Sequence, residues 1–247
     1  MIPRRVIRNG REWLVNNQEE AFWNRVEGGE WEPLTFAVFD RFLDPEHSYI
    51  DVGAWIGPTV LYGAHLARHC YALEPDPVAF SRLKENVLLN APLQRRITLS
   101  PQCLSTTCDP VRLGNKTSHA GGDSMSSLLF AGAAVTWEAA GVTLERFLVD
   151  HRIGDCSFIK MDIEGGEFEV LPAIADYLTE RRPTLYLSLH PGFVPDPEPG
   201  MTAISGVLAT YRHVYTPDLR EVGLDAVQDP ATFRSCYELV ISDVDCS

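Results

Sequence analysis

The chain contains no run of apolar residues that approaches the roughly 18 needed for a membrane-spanning helix. Its first residues are charged but are not followed by an apolar stretch, so we expect no signal peptide. Its six cysteines include no C-x-x-C pair, which argues against a disulfide scaffold and favours a reducing compartment. These absences predict a cytoplasmic protein with no membrane partner.

Basic residues are also scarce in this chain. Lysine and arginine number 21 against 34 aspartate and glutamate residues, and the formal net charge is −13. A nucleic-acid partner requires a basic face, so this balance favours a small-molecule partner over nucleic acid. The 247 residues are 45% hydrophobic, which is enough for the core of one α/β domain. A homodimer is compatible with this composition.

Two glycine motifs of nucleotide-binding proteins, G-x-G-x-x-G and G-x-x-x-x-G-K-[ST], are missing. Instead, residues 49–57 read YIDVGAWIG, an apolar run that carries Asp51, Gly53 and Gly57. The pattern predicts a buried strand, a glycine turn and a helix that begins at Pro58. Such a turn presents free backbone N–H groups to a ligand. The acid at the turn favours a ligand with a positive centre over pyrophosphate.

A second acid follows the next predicted strand. Residues 70–75 read CYALEP, and Glu74 stands where nucleotide-binding α/β proteins place a carboxylate that accepts hydrogen bonds from ribose hydroxyls. This order of acid, glycine turn, helix, strand and acid is the arrangement expected for S-adenosylmethionine. Asp76 also fits the N-cap of the helix that Pro77 begins. The residues predicted to bind the cofactor are Asp51, Gly53, Ala54, Trp55, Gly57, Glu74, Pro75, Asp76, Cys103 and Asp162.

Three more carboxylates follow a later apolar strand. Residues 157–167 read SFIKMDIEGGE and place Asp162, Glu164 and Glu167 after that strand, at the sheet edge where α/β proteins bind ligands. A further predicted strand begins at residue 184 and ends in His190, which Pro191 follows. We predict that Asp162, Glu164 and His190 are catalytic residues. Asp162 is the candidate general base for a hydroxyl acceptor, which is a poor nucleophile without one.

Other roles for the same residues stay open. Asp162 is about equally suited to capping the following helix or to holding the loop. Asp162, Glu164 and His190 have the chemistry of a divalent metal site, although our expectation is that no metal is bound. Trp23 and Trp31 are expected to pack in the core.

These motifs resemble those of the FkbM family of S-adenosylmethionine-dependent methyltransferases. The resemblance runs from about residue 49 to residue 190. A departure is Ser188, where the family often has an acid. The matching segments, of which the last is the most specific, are DVGAWIG (51–57), ALEPDP (72–77), KENVLLN (84–90), CLS (103–105), SSL (126–128) and KMDIEGGE (160–167).

The resemblance carries implications for site, fold and activity. It implies that Asp51, Gly53 and Gly57 shape the methionine end of the cofactor site and that Glu74 holds the ribose. It implies an α/β fold with a Rossmann-like doubly wound seven-stranded sheet, mostly parallel with an antiparallel last strand. FkbM members typically methylate hydroxyl groups of sugars or secondary metabolites, so the expected activity is O-methylation of such an acceptor.

We expect one compact unit, made of an N-terminal helical cap (1–47) and a Rossmann-like methyltransferase domain (48–247). The polar, glycine-rich residues 106–135 predict a long irregular segment that covers the acceptor pocket. Two other functions stay open. One is an NAD-dependent oxidoreductase, which the missing second glycine disfavours. The other is a non-catalytic cofactor-binding module, against which the acids at 162 and 164 argue.

Overall fold

The computed structural model describes residues 3–115, 122, 124–229 and 237–246. Within them the chain forms a seven-stranded mixed sheet, a four-stranded sheet and a two-stranded hairpin. The strands are β1 (Arg4–Arg8), β2 (Arg11–Val15), β3 (Ser48–Val52), β4 (His69–Leu73), β5 (Ile97–Ser100), β6 (Cys103–Leu104), β7 (Pro110–Asn115), β8 (Ser126–Ser127), β9 (Val135–Val142), β10 (Cys156–Met161), β11 (Thr184–Leu189), β12 (His213–Tyr215) and β13 (Tyr237–Ser242).

The helices lie mainly in the connections between these strands. None of the described helices is long and apolar enough to cross a membrane. The helices are α1 (Glu20–Gly28), α2 (Pro33–Phe42), α3 (Pro58–Gly63), α4 (Pro77–Leu88), α5 (Ala91–Gln94), α6 (Leu144–His151), α7 (Glu167–Ala173), α8 (Ala175–Arg181), α9 (Pro197–Leu208) and α10 (Leu224–Val227).

The seven-stranded sheet has the order β12-β13-β11-β10-β3-β4-β5. Strands β11, β10, β3, β4 and β5 run parallel, whereas β13 is antiparallel to both β11 and β12. The predicted α/β class is confirmed, and the antiparallel direction of β13 agrees with the prediction for the last strand. Because β4, β3, β10 and β11 are adjacent and parallel, the residues that follow them meet at one edge of the sheet.

Strand β3 is buried along its whole length, and its side chains alternate between the two faces of the sheet. Tyr49 packs in one hydrophobic core together with the N-terminal segment. Ile50 and Val52 pack in a second core on the opposite face. Asp51 consequently shares its face with Tyr49 and is fully buried, which is costly for a carboxylate without a partner.

The N-terminal segment begins with a β-hairpin, which the sequence analysis did not anticipate, and continues with α1 and α2. The hairpin turn is Asn9-Gly10, and both residues have positive φ, as a tight two-residue turn requires. Two asparagines of the KENVLLN segment hold the second hairpin strand. Asn86 Oδ1 accepts the Asn16 N–H at 2.7 Å, and Asn90 bonds both backbone groups of Leu14. This part of the motif therefore attaches the N-terminal segment to the domain.

The expectation of an irregular segment at 106–135 is wrong for the residues that the structure describes. They contribute β7, β8 and the first residue of β9 to a sheet with the order β6-β9-β7-β8. Strands β7 and β9 pair antiparallel along six residues each, from Pro110 opposite Ala140 to Asn115 opposite Val135. Residues 116–121 and 123, which belong to the predicted cover, lie outside the described residues.

Candidate active site

The glycine turn ties three strand ends together. The N–H groups of Gly53 and Ala54 both donate to the carbonyl of Leu73, at 3.1 Å each, which joins the end of β3 to the end of β4. Gly53 has a φ of +82°, and a Cβ at this position would collide with the carbonyl oxygen of Asp162. Glycine is therefore required both for the turn and for the close approach of β10.

Glu74 is held by backbone donors from both sides. Its Oε2 accepts the Trp55 N–H at 2.7 Å, and its Oε1 accepts the Asp76 N–H at 2.8 Å. Burial raises the pKa of the carboxyl to about 7, against the lowering effect of these two bonds. Trp55 has a φ of +47°, a left-handed conformation that is uncommon for a non-glycine residue and that occurs often at functional sites.

Lys160 occupies the centre of the site, a role that its position in the sequence does not by itself predict. Its Nζ donates to the carbonyl of Gly53 at 2.9 Å and lies 3.4 Å from Asp51 Oδ1 and 3.8 Å from Asp162 Oδ2. Burial alone would lower the pKa of Lys160, but the charges of the two aspartates outweigh it and raise the pKa. The only sequence signal was the position of this lysine within KMDIEGGE, because its partners lie on another strand.

A first cavity of about 790 Å³, partly open to solvent, lies above the glycine turn. Of the predicted cofactor-binding residues, those that line it are Gly53, Ala54, Trp55, Glu74, Pro75, Cys103 and Asp162. The remaining lining is mixed, with apolar residues Val52, Leu73, Leu104 and Leu113 and hydroxyls from Ser124, Ser126 and Ser127. A mostly apolar lining with a few well-placed polar groups is typical of a pocket for a small organic ligand.

The other three predicted cofactor-binding residues are not among the residues that line this cavity. Asp51 lies beneath the turn, where it pairs with Lys160. Gly57 has a φ of +93° and is the N-cap of α3. Asp76 is the N-cap of α4, where Oδ1 accepts two backbone N–H groups, and its Oδ2 accepts bonds from Gly122 N and Ser126 Oγ. All three lie in elements that border the cavity, and their part in cofactor binding stays a prediction.

A second cavity of about 1010 Å³, open to solvent, adjoins the first. The two cavities share five lining residues, namely Trp31, Trp55, Ser124, Asp162 and Glu164. Asp162 is 25% exposed at its side chain, so a ligand in either space can reach its carboxylate. The remaining residues that line the second cavity are Phe22, Arg25, Glu32, Ser188, His190, Tyr237 and Glu238.

The three predicted catalytic residues come together at this junction. His190 Nε2 lies 3.4 Å from Glu164 Oε2 and 3.7 Å from Asp162 Oδ1. Burial raises the pKa of Glu164 to about 7, and the negative charges of Asp162 and Glu167 add to this increase. Burial would lower the pKa of His190, but its hydrogen bond to Glu167 and the surrounding carboxylates raise it to about 9.

The N-terminal segment supplies one wall of the second cavity, through residues of α1 and of the turn before α2. Trp31 and Trp55 each pack edge-on against Phe22, with ring centroids 5.2 and 4.5 Å from it. Glu32 has a φ of +37° and accepts a hydrogen bond from Thr35 Oγ1 at 3.0 Å. Burial raises the pKa of Glu32 to about 8. Trp23 packs in the core as expected, and Trp31 packs against the same core while also reaching both cavities.

The family model for the methyltransferase FkbM domain matches residues 51–207. This match covers well over half of the chain, so the chain belongs to the FkbM methyltransferase domain family, and the resemblance seen in the motifs is confirmed. Membership in this family agrees with the prediction of S-adenosylmethionine as cofactor. No curated protein sequence matches the chain.

Several solved structures are similar to this chain at low identity. Methyltransferase FkbM from Methylobacillus flagellatus KT is 16% identical with a TM-score of 0.47, over 89% of this chain and 52% of that one. An S-adenosylmethionine-dependent O-methyltransferase from Thermotoga maritima is 11% identical with a TM-score of 0.47, over 88% and 67%. An O-methyltransferase from Bacillus cereus, solved with S-adenosylhomocysteine, is 10% identical with a TM-score of 0.45, over 85% and 78%. This chain thus spans about half the length of the Methylobacillus protein. At such low identities and TM-scores, none of these similarities carries an argument about activity.

Proposed function

We propose that the chain is an S-adenosylmethionine-dependent O-methyltransferase with a Rossmann-like fold, which methylates a hydroxyl of a sugar or secondary metabolite in the cytoplasm. The observation that carries this proposal is the junction of two cavities at Asp162 and Glu164. A cofactor in the first cavity and an acceptor in the second would meet at these two carboxylates.

The lining of the first cavity suits S-adenosylmethionine in polarity and charge. Its apolar lining suits adenine, and Glu74 lies where ribose hydroxyls would donate to it. Among the described residues that line it, Lys160 is the only basic one and is already paired with aspartates, whereas Glu74, Asp162 and Glu164 are acidic. A sulfonium cation is favoured in such surroundings, whereas the pyrophosphate of a dinucleotide is not.

Positioning is the main contribution that the chain can make to methyl transfer. The reaction needs the acceptor oxygen, the methyl carbon and the sulfur in line, and S-adenosylmethionine supplies the electrophilic methyl group. Trp31 and Trp55 give the second cavity flat apolar walls, against which a ring-shaped acceptor can lie. Asp162 borders both spaces and can accept the proton of the attacking hydroxyl.

The direct test is methyl transfer from labelled S-adenosylmethionine to a panel of sugars and polyketide-type alcohols. Asp162→Asn keeps the size of the side chain but cannot take a proton, so turnover should fall by roughly 10²–10⁴-fold. Affinity for S-adenosylhomocysteine should change little. Asp176→Asn, an exposed position on α8, is the matched control and should keep wild-type turnover. Wild-type turnover in Asp162→Asn would end the assignment of Asp162 as base.

A further inference from the structure

The orientation of His190 is set by a carboxylate behind it. Its Nδ1 lies 3.3 Å from Oε1 of Glu167, a side chain that is fully buried. The Glu167 carboxylate also accepts the N–H groups of Ile163 and Gly165, at 2.7 and 2.9 Å, and is thereby fixed in place. An Nδ1–H donated to Glu167 leaves Nε2 facing the second cavity, as in metal sites where a carboxylate orients the ligating histidine.

The atoms that Nε2 faces are carboxylate oxygens. In the neutral imidazole this nitrogen carries a lone pair, and Glu164 Oε2 and Asp162 Oδ1 lie 3.4 and 3.7 Å from it. Lone pairs that point at anionic oxygens repel one another, so a positive charge must lie between these atoms. That charge is a proton, held by His190 or by one of the two carboxyls, or a cation bound by all three residues.

Glu164 favours the second of these occupants. Its Oε2 is buried and makes no hydrogen bond to any residue that the structure describes, while Glu164 as a whole is only 8% exposed. A buried carboxylate oxygen that accepts no hydrogen bond is costly. Glu164 also has a φ of +54°, a strained left-handed conformation of the kind that functional sites retain.

The distances match the spacing of ligands around a metal ion. With metal–ligand bonds of about 2.0–2.2 Å, neighbouring ligand atoms in tetrahedral or octahedral geometry lie roughly 2.8–3.6 Å apart. The three ligand atoms of this cluster lie within 4.8 Å of one another, and the two distances from Nε2 are close to that range. Small side-chain rotations would complete the coordination.

We propose that Asp162, Glu164 and His190 bind one divalent first-row transition-metal ion, with Glu167 as the residue that orients His190. Two carboxylates and an imidazole suit Mn²⁺ or Zn²⁺ better than Ca²⁺, which prefers ligands that are all oxygen. The proposal departs from the sequence-based expectation of no metal. Its role in catalysis rests on the proposed function: the ion would border the second cavity and bind the acceptor hydroxyl. Oδ2 of Asp162, on the Lys160 side, would stay free to take the proton.

The experiment is a titration of the chelator-treated full chain with MnCl₂, in which electron paramagnetic resonance measures the free aquo ion. The wild type should remove Mn²⁺ from solution in a saturable manner, stoichiometric with the chain. Glu164→Gln and His190→Gln should each weaken binding by at least about tenfold, in line with the cost of disturbing metal sites. Glu169→Gln changes an exposed acid on α7 and should bind as the wild type does.

Two results would overturn the metal site: a wild type that leaves all Mn²⁺ free, or variants that bind as tightly as the wild type. Should Glu164→Gln fail to fold, His190→Gln and the wild type still decide the outcome. S-adenosylhomocysteine binding, measured on the same preparations by calorimetry, separates the two proposals. Cofactor binding without Mn²⁺ binding rejects only the metal site, and absence of both rejects the proposed function as well.

Discussion

Lys160 and Asp51 lie side by side on neighbouring strands, and both side chains are nearly or fully removed from solvent. The Lys160 ammonium also donates to the carbonyl of Gly53 and so holds the glycine turn against β10. Removal of one member of a buried ion pair leaves the other charge uncompensated, which is more costly than removal of both. The pair therefore stabilises the glycine turn that lines the first cavity.

Lys160→Met should lower the free energy of unfolding by about 3–5 kcal/mol, because the Asp51 charge would then be buried alone. The double variant Asp51→Asn/Lys160→Met should recover part of this loss. Urea denaturation of the wild type, the two single variants and the double variant measures these free energies of unfolding. The control is Lys84→Met, at an exposed position on α4, for which we expect a change within about 0.5 kcal/mol. Strictly additive effects of the two substitutions would show that the residues do not interact.

The ionisation of Glu74 makes the stability of the fold depend on pH. Its pKa is raised from 4.5 to about 7, so the folded chain holds this proton more tightly than the unfolded chain does. The resulting stabilisation is fully present below pH 4.5 and is lost as the pH rises through about 7. Glu74→Gln stays neutral, so its stability relative to the wild type should improve across this window by up to roughly 3 kcal/mol. Chemical denaturation at several pH values measures the free energy of unfolding of both proteins. The same pH dependence in the wild type and in Glu74→Gln would contradict this prediction.

Most of the individual site residues could be predicted because they follow strands in recognisable patterns. Gly53, Glu74 and Asp162 each stand directly after an apolar run, where parallel strands place ligand-binding groups. The roles of Lys160 and Glu32 could not be predicted in this way. Their partners lie on elements distant in sequence, and only the packing of those elements shows which charges meet.

At the scale of elements, the turn after β3 determines how closely β10 can approach. Gly53→Ala should therefore separate the strand ends, destabilise the fold and strongly weaken binding of S-adenosylhomocysteine. The matched control is Gly206→Ala on α9, where an added methyl group meets nothing within 4 Å. That substitution should be neutral or stabilise the helix by about 0.5–1 kcal/mol. Thermal unfolding and calorimetry report the two effects, and unchanged cofactor affinity in Gly53→Ala would show that the turn tolerates a side chain.

Elements with long-range or unusual partners were harder to predict than the central strands. The Asn9-Gly10 turn is a strong hairpin signal, but the flanking strands are arginine-rich and lack a clear apolar alternation. The sequence of residues 106–135 predicts an irregular segment because glycine and polar residues dominate it. Strands β7 and β9 nevertheless pair along their length, since pairing depends on the partner strand more than on local preference. Whether this segment covers the acceptor pocket stays a prediction.

At the scale of the whole molecule, the site is assembled between the sheet edge and the N-terminal segment. The sheet supplies the glycine turn, Glu74 and Asp162, while the segment supplies Trp31 and Glu32 to the wall of the second cavity. The N-terminal segment is thus part of the proposed acceptor site as well as a cover for the hydrophobic core.

The most direct test of the central claim is calorimetric titration of the full chain with S-adenosylhomocysteine and, separately, with NAD⁺. The acidic lining of the first cavity favours the sulfonium cofactor and its product over a pyrophosphate. We expect a saturable isotherm with S-adenosylhomocysteine and no binding of NAD⁺ at millimolar concentration. Folded protein that binds NAD⁺, or that gives no heat with S-adenosylhomocysteine at millimolar concentration, would contradict the assignment of this cavity to S-adenosylmethionine.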